Sequence, residues 1–188
     1  MTDDTHSVLV VTPDSKISSM IGAMLIPPVF DVKLSSDFNE ARRLSAERTF
    51  NIIIVDFADG QGTDFALDIA DSPSTILLMA PAQHFDQISY KIEPYGILTV
   101  STPFDQFYFY NIIKIAIAVQ YKVQVLSSKA TKLKEKMEEI RLVNRAKLLL
   151  IEKKSMSEAD AHRYLEKTAM DTGKKRIAVA NDIIRELS

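Results

Sequence analysis

From Phe104 onward the sequence keeps a helical rhythm for about 50 residues without a glycine or a proline, far beyond the usual length of a globular helix. A helix that long must place its apolar residues somewhere. With Leu126 at a d position, the heptad core reads Ile112 (d), Ala116 (a), Val119 (d), Val123 (a), Leu126 (d), Ala130 (a), Leu133 (d), Met137 (a), Ile140 (d) and Asn144 (a), nine of ten apolar. A three–four spacing held for more than four heptads is the seam of a coiled coil, and one polar Asn at an a position fixes register and two-strandedness. The sequence therefore predicts a parallel homodimer along a coiled-coil helix at 105–144, because the flanks around residues 127–139 are charged on every other face. A helix packed within its own chain is the alternative.

The residues before this helix follow another pattern. Ser7–Val11, Phe30–Lys33, Asn51–Val55, Thr75–Met79 and Gly96–Val100 are short apolar runs, and helical stretches near 15–25, 37–49, 63–71 and 85–92 separate them. Strands alternating with helices predict a parallel sheet covered on both faces, with Ser35-Ser36-Asp37 as capping residues and Gly60, Gly62 and Pro73 in loops. The two halves also differ in charge, with a net of −8 over residues 1–104 and +6 over residues 105–188. A division of labour is expected.

Composition narrows the function. The 188 residues suffice for one domain or two small ones, and 46% hydrophobic with 26% charged residues is globular. With no cysteine, disulfide scaffolds, thiolate metal sites and cysteine nucleophiles are excluded. His6, His84 and His162 stand far apart, so no metal site and no cofactor is expected. The acidic start MTDDTHS lacks an apolar core, and no apolar run approaches the roughly 18 residues that span a bilayer, so a cytoplasmic protein without a membrane partner is expected. There is no nucleophile with a base at motif spacing, no glycine-rich phosphate loop and no catalytic residue to name. An enzyme is not expected. The methionines, Met156 among them, read as core filler, and His162 as a surface residue.

Asp56 closes the third strand in Ile52-Ile-Ile-Val-Asp56 and should lie at the carboxyl end of the sheet, where open α/β folds bind ligands. Five strands, five helices and this Asp resemble the flavodoxin-like receiver domain of bacterial response regulators, over residues 7–125 of a domain placed at 1–125. The resemblance implies that Asp56 stands at the phospho-acceptor position. Active receivers add an acidic pair after strand one that helps hold Mg²⁺, a Ser/Thr after strand four and a Lys before the proline of strand five. This chain places Thr12-Pro13, Met79 and Thr102 there, so an inactive pseudo-receiver is expected; Asp14 could stand in for part of the acidic pair.

The last 40 residues predict two more helices, completing a three-helix bundle. Ser157-Glu-Ala-Asp160 has capping-box spacing, with Asp in place of Glu; Ala161, Tyr164, Leu165, Thr168 and Ala169 follow at helical spacing, Gly173 ends that helix, and Ile177, Ala180, Ile183, Ile184 and Leu187 form the next apolar stripe. Arg145-Ala-Lys147, Ser157-Glu158 with Ala161, Tyr164-Leu165, Ala169-Met170, Lys174-Lys-Arg176 and Ala180 resemble the ANTAR family of RNA-binding antitermination modules, over a domain placed at 128–188. Leu148 replaces a glycine common in that family. The order of receiver-like domain, coiled coil and ANTAR bundle is similar to antiterminators of the amidase-operon type. Arg163, Lys167 and Met170 recur at i, i+4 and i+7, and basic residues on a small bundle are by themselves most often a solvated face.

With the resemblance, Arg145, Lys147, Arg163, Lys167, Met170, Lys174, Lys175 and Arg176 are expected to contact RNA hairpins, and Val119, Val123, Leu126, Ala130, Leu133, Met137, Ile140 and Asn144 to join the homodimer. The resemblance also implies a regulatory sensor protein or ligand acting on the pseudo-receiver. A dimeric signalling scaffold and a DNA-binding response regulator are the competing readings. The segment from Asn181 to Ser188 offers no basic recognition helix.

Overall fold

Aliphatic runs with Val and Ile at nearly every position suit strands buried on both faces. In the computed structural model, which describes residues 5–187, five such runs form one parallel sheet: β1 (His6–Val11), β2 (Phe30–Ser35), β3 (Ile52–Asp56), β4 (Thr75–Pro81) and β5 (Leu98–Thr102), in the order β2-β1-β3-β4-β5. Residues 1–4 of the acidic start, and Ser188, lie outside the described residues. Helices α1 (Ser15–Met24), α2 (Phe38–Glu47), α3 (Gln61–Asp68) and α4 (Phe85–Ile92) connect the strands, and α5 (Gln106–Lys154) follows β5.

Alternation along the strands divides the core into two layers. Leu9, Val11, Ile53, Val55 and Leu78 pack with Ala41, Phe65, Ala66, Ile88 and Ile92 of α2, α3 and α4. Val8, Val10, Ile52, Ile54, Leu77 and Met79 pack with Ile21 of α1 and Phe109, Ile113 and Ala116 of α5. Asp14 and Asp37 cap α1 and α2 by accepting backbone N–H bonds, from Lys16 at 2.7 Å and from Glu40 at 2.7 Å. Strand β5 begins two residues later than the apolar run suggests. Gly96, at φ 72°, closes a 3-10 turn at Glu93–Tyr95, and the chain extends only after it.

The expected seam needs a correction at its start. Ile112 and Ala116 belong to the sheet's own core, Ala116 fully buried and Ile112 packed against the same cluster. Gln120 is buried as well: its Nε2 donates to the Pro73 carbonyl at 3.0 Å and its Oε1 accepts from Thr75 Oγ1 at 2.7 Å. From Val119 onward the stripe is exposed, with Leu133 at 61% and Met137 at 64%, and Ala130 and Asn144 are exposed too. Met137 and Met170 are therefore not core filler.

The chain divides into two compact units, Met1–Val125 and Leu126–Ser188. In the second, the end of α5 packs with α6 (Glu158–Thr172) and α7 (Arg176–Leu187) around Ala146, Leu150, Ala161, Leu165, Ala169, Val179, Ala180 and Ile183. Ser157 caps α6 by accepting from the Asp160 N–H at 3.1 Å, and its hydroxyl donates to Asp160 Oδ2 at 2.7 Å. Gly173, at φ 64°, terminates α6 in the left-handed region that glycine favours. Among the described residues no helix is long and apolar enough to cross a membrane.

Gly62 fixes how closely α3 approaches the strand that carries Asp56. A Cβ there would stand 1.7 Å from the Asp56 carbonyl oxygen, which is backbone and cannot swing away. Gly62→Ala is expected to destabilise the N-terminal unit by about 1–3 kcal/mol or more, although alanine is the better helix former. Urea unfolding followed by a probe within residues 1–125 checks this; unchanged stability would contradict the packing.

Candidate functional site

Asp56 ends β3 in register with Met79, which is fully buried in the sheet core and brings no hydroxyl; neither does Ala80 after it. The Asp56 carboxylate accepts from Thr12 Oγ1 at 2.6 Å, while the same hydroxyl accepts from the Asp14 N–H at 3.1 Å. Thr12 is 2% exposed, so its hydroxyl is committed in both directions. Asp14, the one acid near enough in sequence to supplement Asp56, instead turns back to cap α1 through Lys16 N and Ile17 N. These residues do not fit Mg²⁺, which prefers several hard oxygens in an octahedral shell: the set reduces to one carboxylate, an engaged hydroxyl and the ring of Pro13. Thr102, at the end of β5, supplies no cation. Among the described residues no group of three His, Asp or Glu side chains is placed to hold a metal ion.

The C-terminal unit carries the cations. On α6, Ala161, Leu165 and Ala169 are buried, and the helical period sets Arg163, Lys167 and Met170 on the opposite, exposed side. Met170 is 81% exposed. Arg163 has only a long contact, 3.9 Å, to Asp160. Arg145, Lys167 and Lys175 are exposed and form no ion pair among the described residues.

The remaining cations have partners that the sequence did not reveal. Lys147 is largely covered and lies 3.3 Å from Glu158. Lys174 reaches Asp182 at 2.8 Å. Arg176 stands between Glu139 of α5 at 3.6 Å and Glu166 of α6 at 3.9 Å, and His162 approaches Glu166 at 3.3 Å. Lys174 holds the Asp182 carboxyl below the usual carboxylate range, by hydrogen bond first and by charge second; desolvation opposes this and Arg185 adds to it. A depressed carboxylate keeps its partner at neutral pH and releases it only as pH falls through the lowered pKa.

Three of the residues assigned from the sequence come together in one place. Met170, Lys174 and Arg176, with Glu166 and Ala169, line an open hollow of about 420 Å³. Its floor is the buried methyl of Ala169 and its rim is charged in both signs. Only the His162–Glu166 spacing of four was legible beforehand. Glu139 lies too far from Arg176 along the chain for any spacing rule.

The fold and these surfaces define a receiver-like α/β domain followed by a helical ANTAR domain, the architecture of a response regulator. Residues 131–184 match the ANTAR domain model. Over 91% of its length the chain is 26% identical to the transcriptional regulatory protein PdtaR of Mycobacterium tuberculosis, covering 86% of that protein. Among solved structures, a signal receiver domain of an HD domain-containing protein from Pseudomonas fluorescens is 18% identical with a TM-score of 0.57, covering 64% of this chain and 92% of that one. NtrX from Brucella abortus is 13% identical with a TM-score of 0.59; the match covers 66% of this chain and spans only 29% of NtrX. At these identities the two structures speak for the fold alone.

Proposed function

We propose that this chain is a dimeric RNA-binding regulator of transcription antitermination, in which each ANTAR bundle grips one hairpin loop and the receiver-like domain works without phosphorylation. The observation that carries the reading is the conjunction, within residues matched to the ANTAR domain, of unpaired cations with an exposed methionine beside a base-sized hollow. Arg163, Lys167, Lys175 and Arg145 meet phosphates, while Met170 and the Ala169 floor receive an unstacked base. Lys174 and Arg176 take part by exchanging carboxylates for phosphates, a small cost because exposed ion pairs contribute only about 0–1 kcal/mol. Lys147, tied to Glu158 and mostly covered, holds α5 to α6.

Dimerisation supplies what one small bundle lacks. Val119, Val123, Leu126, Leu133, Met137 and Ile140 leave an apolar stripe on α5 that a second copy would cover, with Ala130 at a close approach and Asn144 setting register. Binding of a second hairpin then becomes intramolecular, and avidity rises by about 10²–10⁴ without a new contact. Control enters through a partner or ligand on the receiver-like domain, because Thr12, Pro13, Met79 and Thr102 cannot supply the metal and charge that phosphoryl transfer onto Asp56 requires.

The deciding experiment titrates the protein against a tandem-hairpin RNA and a duplex DNA of equal length at two salt concentrations. RNA preference beyond the electrostatic background is expected; equal binding favours a DNA regulator, and no binding favours a signalling scaffold. In a folded Arg163→Ala/Lys167→Ala double mutant, RNA affinity should fall and the log–log salt slope should flatten by about 0.7–0.9 per lost phosphate contact. Unchanged affinity would remove this face from the interface.

Replacing Leu126 and Leu133 with Asp puts charges at buried d positions and should yield monomers by sedimentation. These should bind a single hairpin as before and lose the preference for two. A monomer that keeps that preference would refute the paired-grip mechanism.

Incubation with a phosphodonor and Mg²⁺ should leave the intact mass unchanged. A phosphoryl adduct mapped to Asp56 would overturn the phosphorylation-independent reading.

A further inference from the structure

Phe57 follows Asp56 directly and forms one wall of a second hollow, of about 380 Å³, which lies between α3 and α4 and is within the size range of small-ligand sites. Its polar groups are layered by depth. Thr63 lines it at only 4% exposure, and the Thr63 hydroxyl has no hydrogen-bond partner among the described residues. Above it, Phe57 and Ile88 are apolar, and the Phe57 ring lies 6.3 Å from the His84 ring, which adds a second flat surface. At the mouth stand exposed charges of both signs, Lys91 on α4 and Asp59 and Asp64 on the α3 side. The ion pairs of this unit join Arg42 to Asp68, Arg43 to Glu47 and Arg48 to Asp31, which leaves these three charges unpaired among the described residues.

We propose that this hollow binds a free aromatic amino acid whose ring ends in a hydrogen-bonding group, tyrosine being the simplest. Each part of such a molecule meets a group that lacks a partner. The ammonium faces Asp59 and Asp64, the carboxylate faces Lys91, the ring lies between Phe57, His84 and Ile88, and the terminal hydroxyl pairs with Thr63. A purely anionic ligand would meet two carboxylates at the mouth, and a purely cationic one would meet Lys91; a zwitterion uses both signs. The deep hydroxyl supplies selectivity, because a site built around a buried polar group rejects the analogue that leaves it unpaired. The site is independent of the RNA-binding reading: it lies wholly in the N-terminal unit and is tested without nucleic acid.

The test is calorimetric titration of the full chain with tyrosine, phenylalanine, tyramine and 3-(4-hydroxyphenyl)propionate. Saturable tyrosine binding is expected, with phenylalanine weaker by at least about tenfold and both single-charge analogues weaker than tyrosine. Thr63→Val keeps the shape and removes the hydroxyl. It should melt no lower than the parent protein and should bind tyrosine and phenylalanine equally. Lys91→Gln, at an exposed position that cannot threaten the fold, should weaken tyrosine while leaving tyramine unchanged. No saturable tyrosine binding up to its solubility, equal binding of tyrosine and phenylalanine by the parent protein, or a preference for tyrosine that survives Thr63→Val would each overturn the proposal.

Discussion

Helix α5 serves two hydrophobic cores, and the rest of the molecule depends on how its residues are divided between them. Phe109, Ile113, Ala116 and Gln120 face the sheet, at spacings of four, three and four, and Ala146 and Leu150 face the three-helix bundle. At 100° per residue, the exposed stripe through Val119, Val123, Leu126, Leu133, Met137 and Ile140 lies roughly a quarter-turn from the sheet-facing stripe. The helix can therefore pack on the sheet along one line and present an apolar line beside it. Gln120 marks the end of the first duty. A polar side chain is tolerated there because both of its ends are satisfied, by Thr75 and by the Pro73 carbonyl.

That division explains where the heptad reading went wrong. Ile112 and Ala116 keep the three–four rhythm, and Ala116 is small enough to suit either a seam or a sheet contact, so periodicity alone assigns both residues to the seam. The sheet was legible because its strands are buried on both faces and read as unbroken Val/Ile/Leu runs. Strand β5 was displaced because the apolar pair Ile97-Leu98 hides the turn that Gly96 closes. Capping at Asp14, Asp37 and Ser157 could be read from local spacing, since each involves residues two or three apart. Most partners of the cations could not. Lys147–Glu158, Lys174–Asp182 and Arg176–Glu139 join residues on different helices, and their pairing exists only once the bundle has packed.

The N-terminal unit shows how a receiver-like sheet can persist without the groups of its chemistry. The Thr12 hydroxyl turns the Asp56 carboxylate into an internal hydrogen-bond acceptor, and Gly62 allows the β3–α3 turn to close over the Asp56 carbonyl. Both contacts hold the carboxyl ends of β1 and β3 as a structural corner. The turn itself, Ala58-Asp59-Gly60, has positive φ at all three residues. For the first two this is a conformation that L-residues adopt only when the surroundings impose it. Its residues line cavities on either side, toward α2 and toward α4, so whatever fills one cavity bears directly on the wall of the other.

On the proposed reading, affinity for RNA is limited by the acids of the C-terminal unit as much as it is supplied by the bases. A cation already beside a carboxylate gains only the difference between two anionic partners when a phosphate arrives, and the displaced carboxylate must then be solvated again. The net gain comes from Arg145, Lys167 and Lys175, which have no such partner among the described residues, and from Arg163, whose contact with Asp160 is long. So few phosphate contacts give one bundle a weak, salt-sensitive grip. Specificity must then come from groups that do not answer to charge, and the hollow beside Met170 provides one: an apolar floor for a base, with Glu166 at the rim able to accept from an exocyclic amine. Arg176 restrains Glu166 from the far side and fixes its orientation through Glu139, so the ion pairs that reduce affinity also hold the reading surface in place.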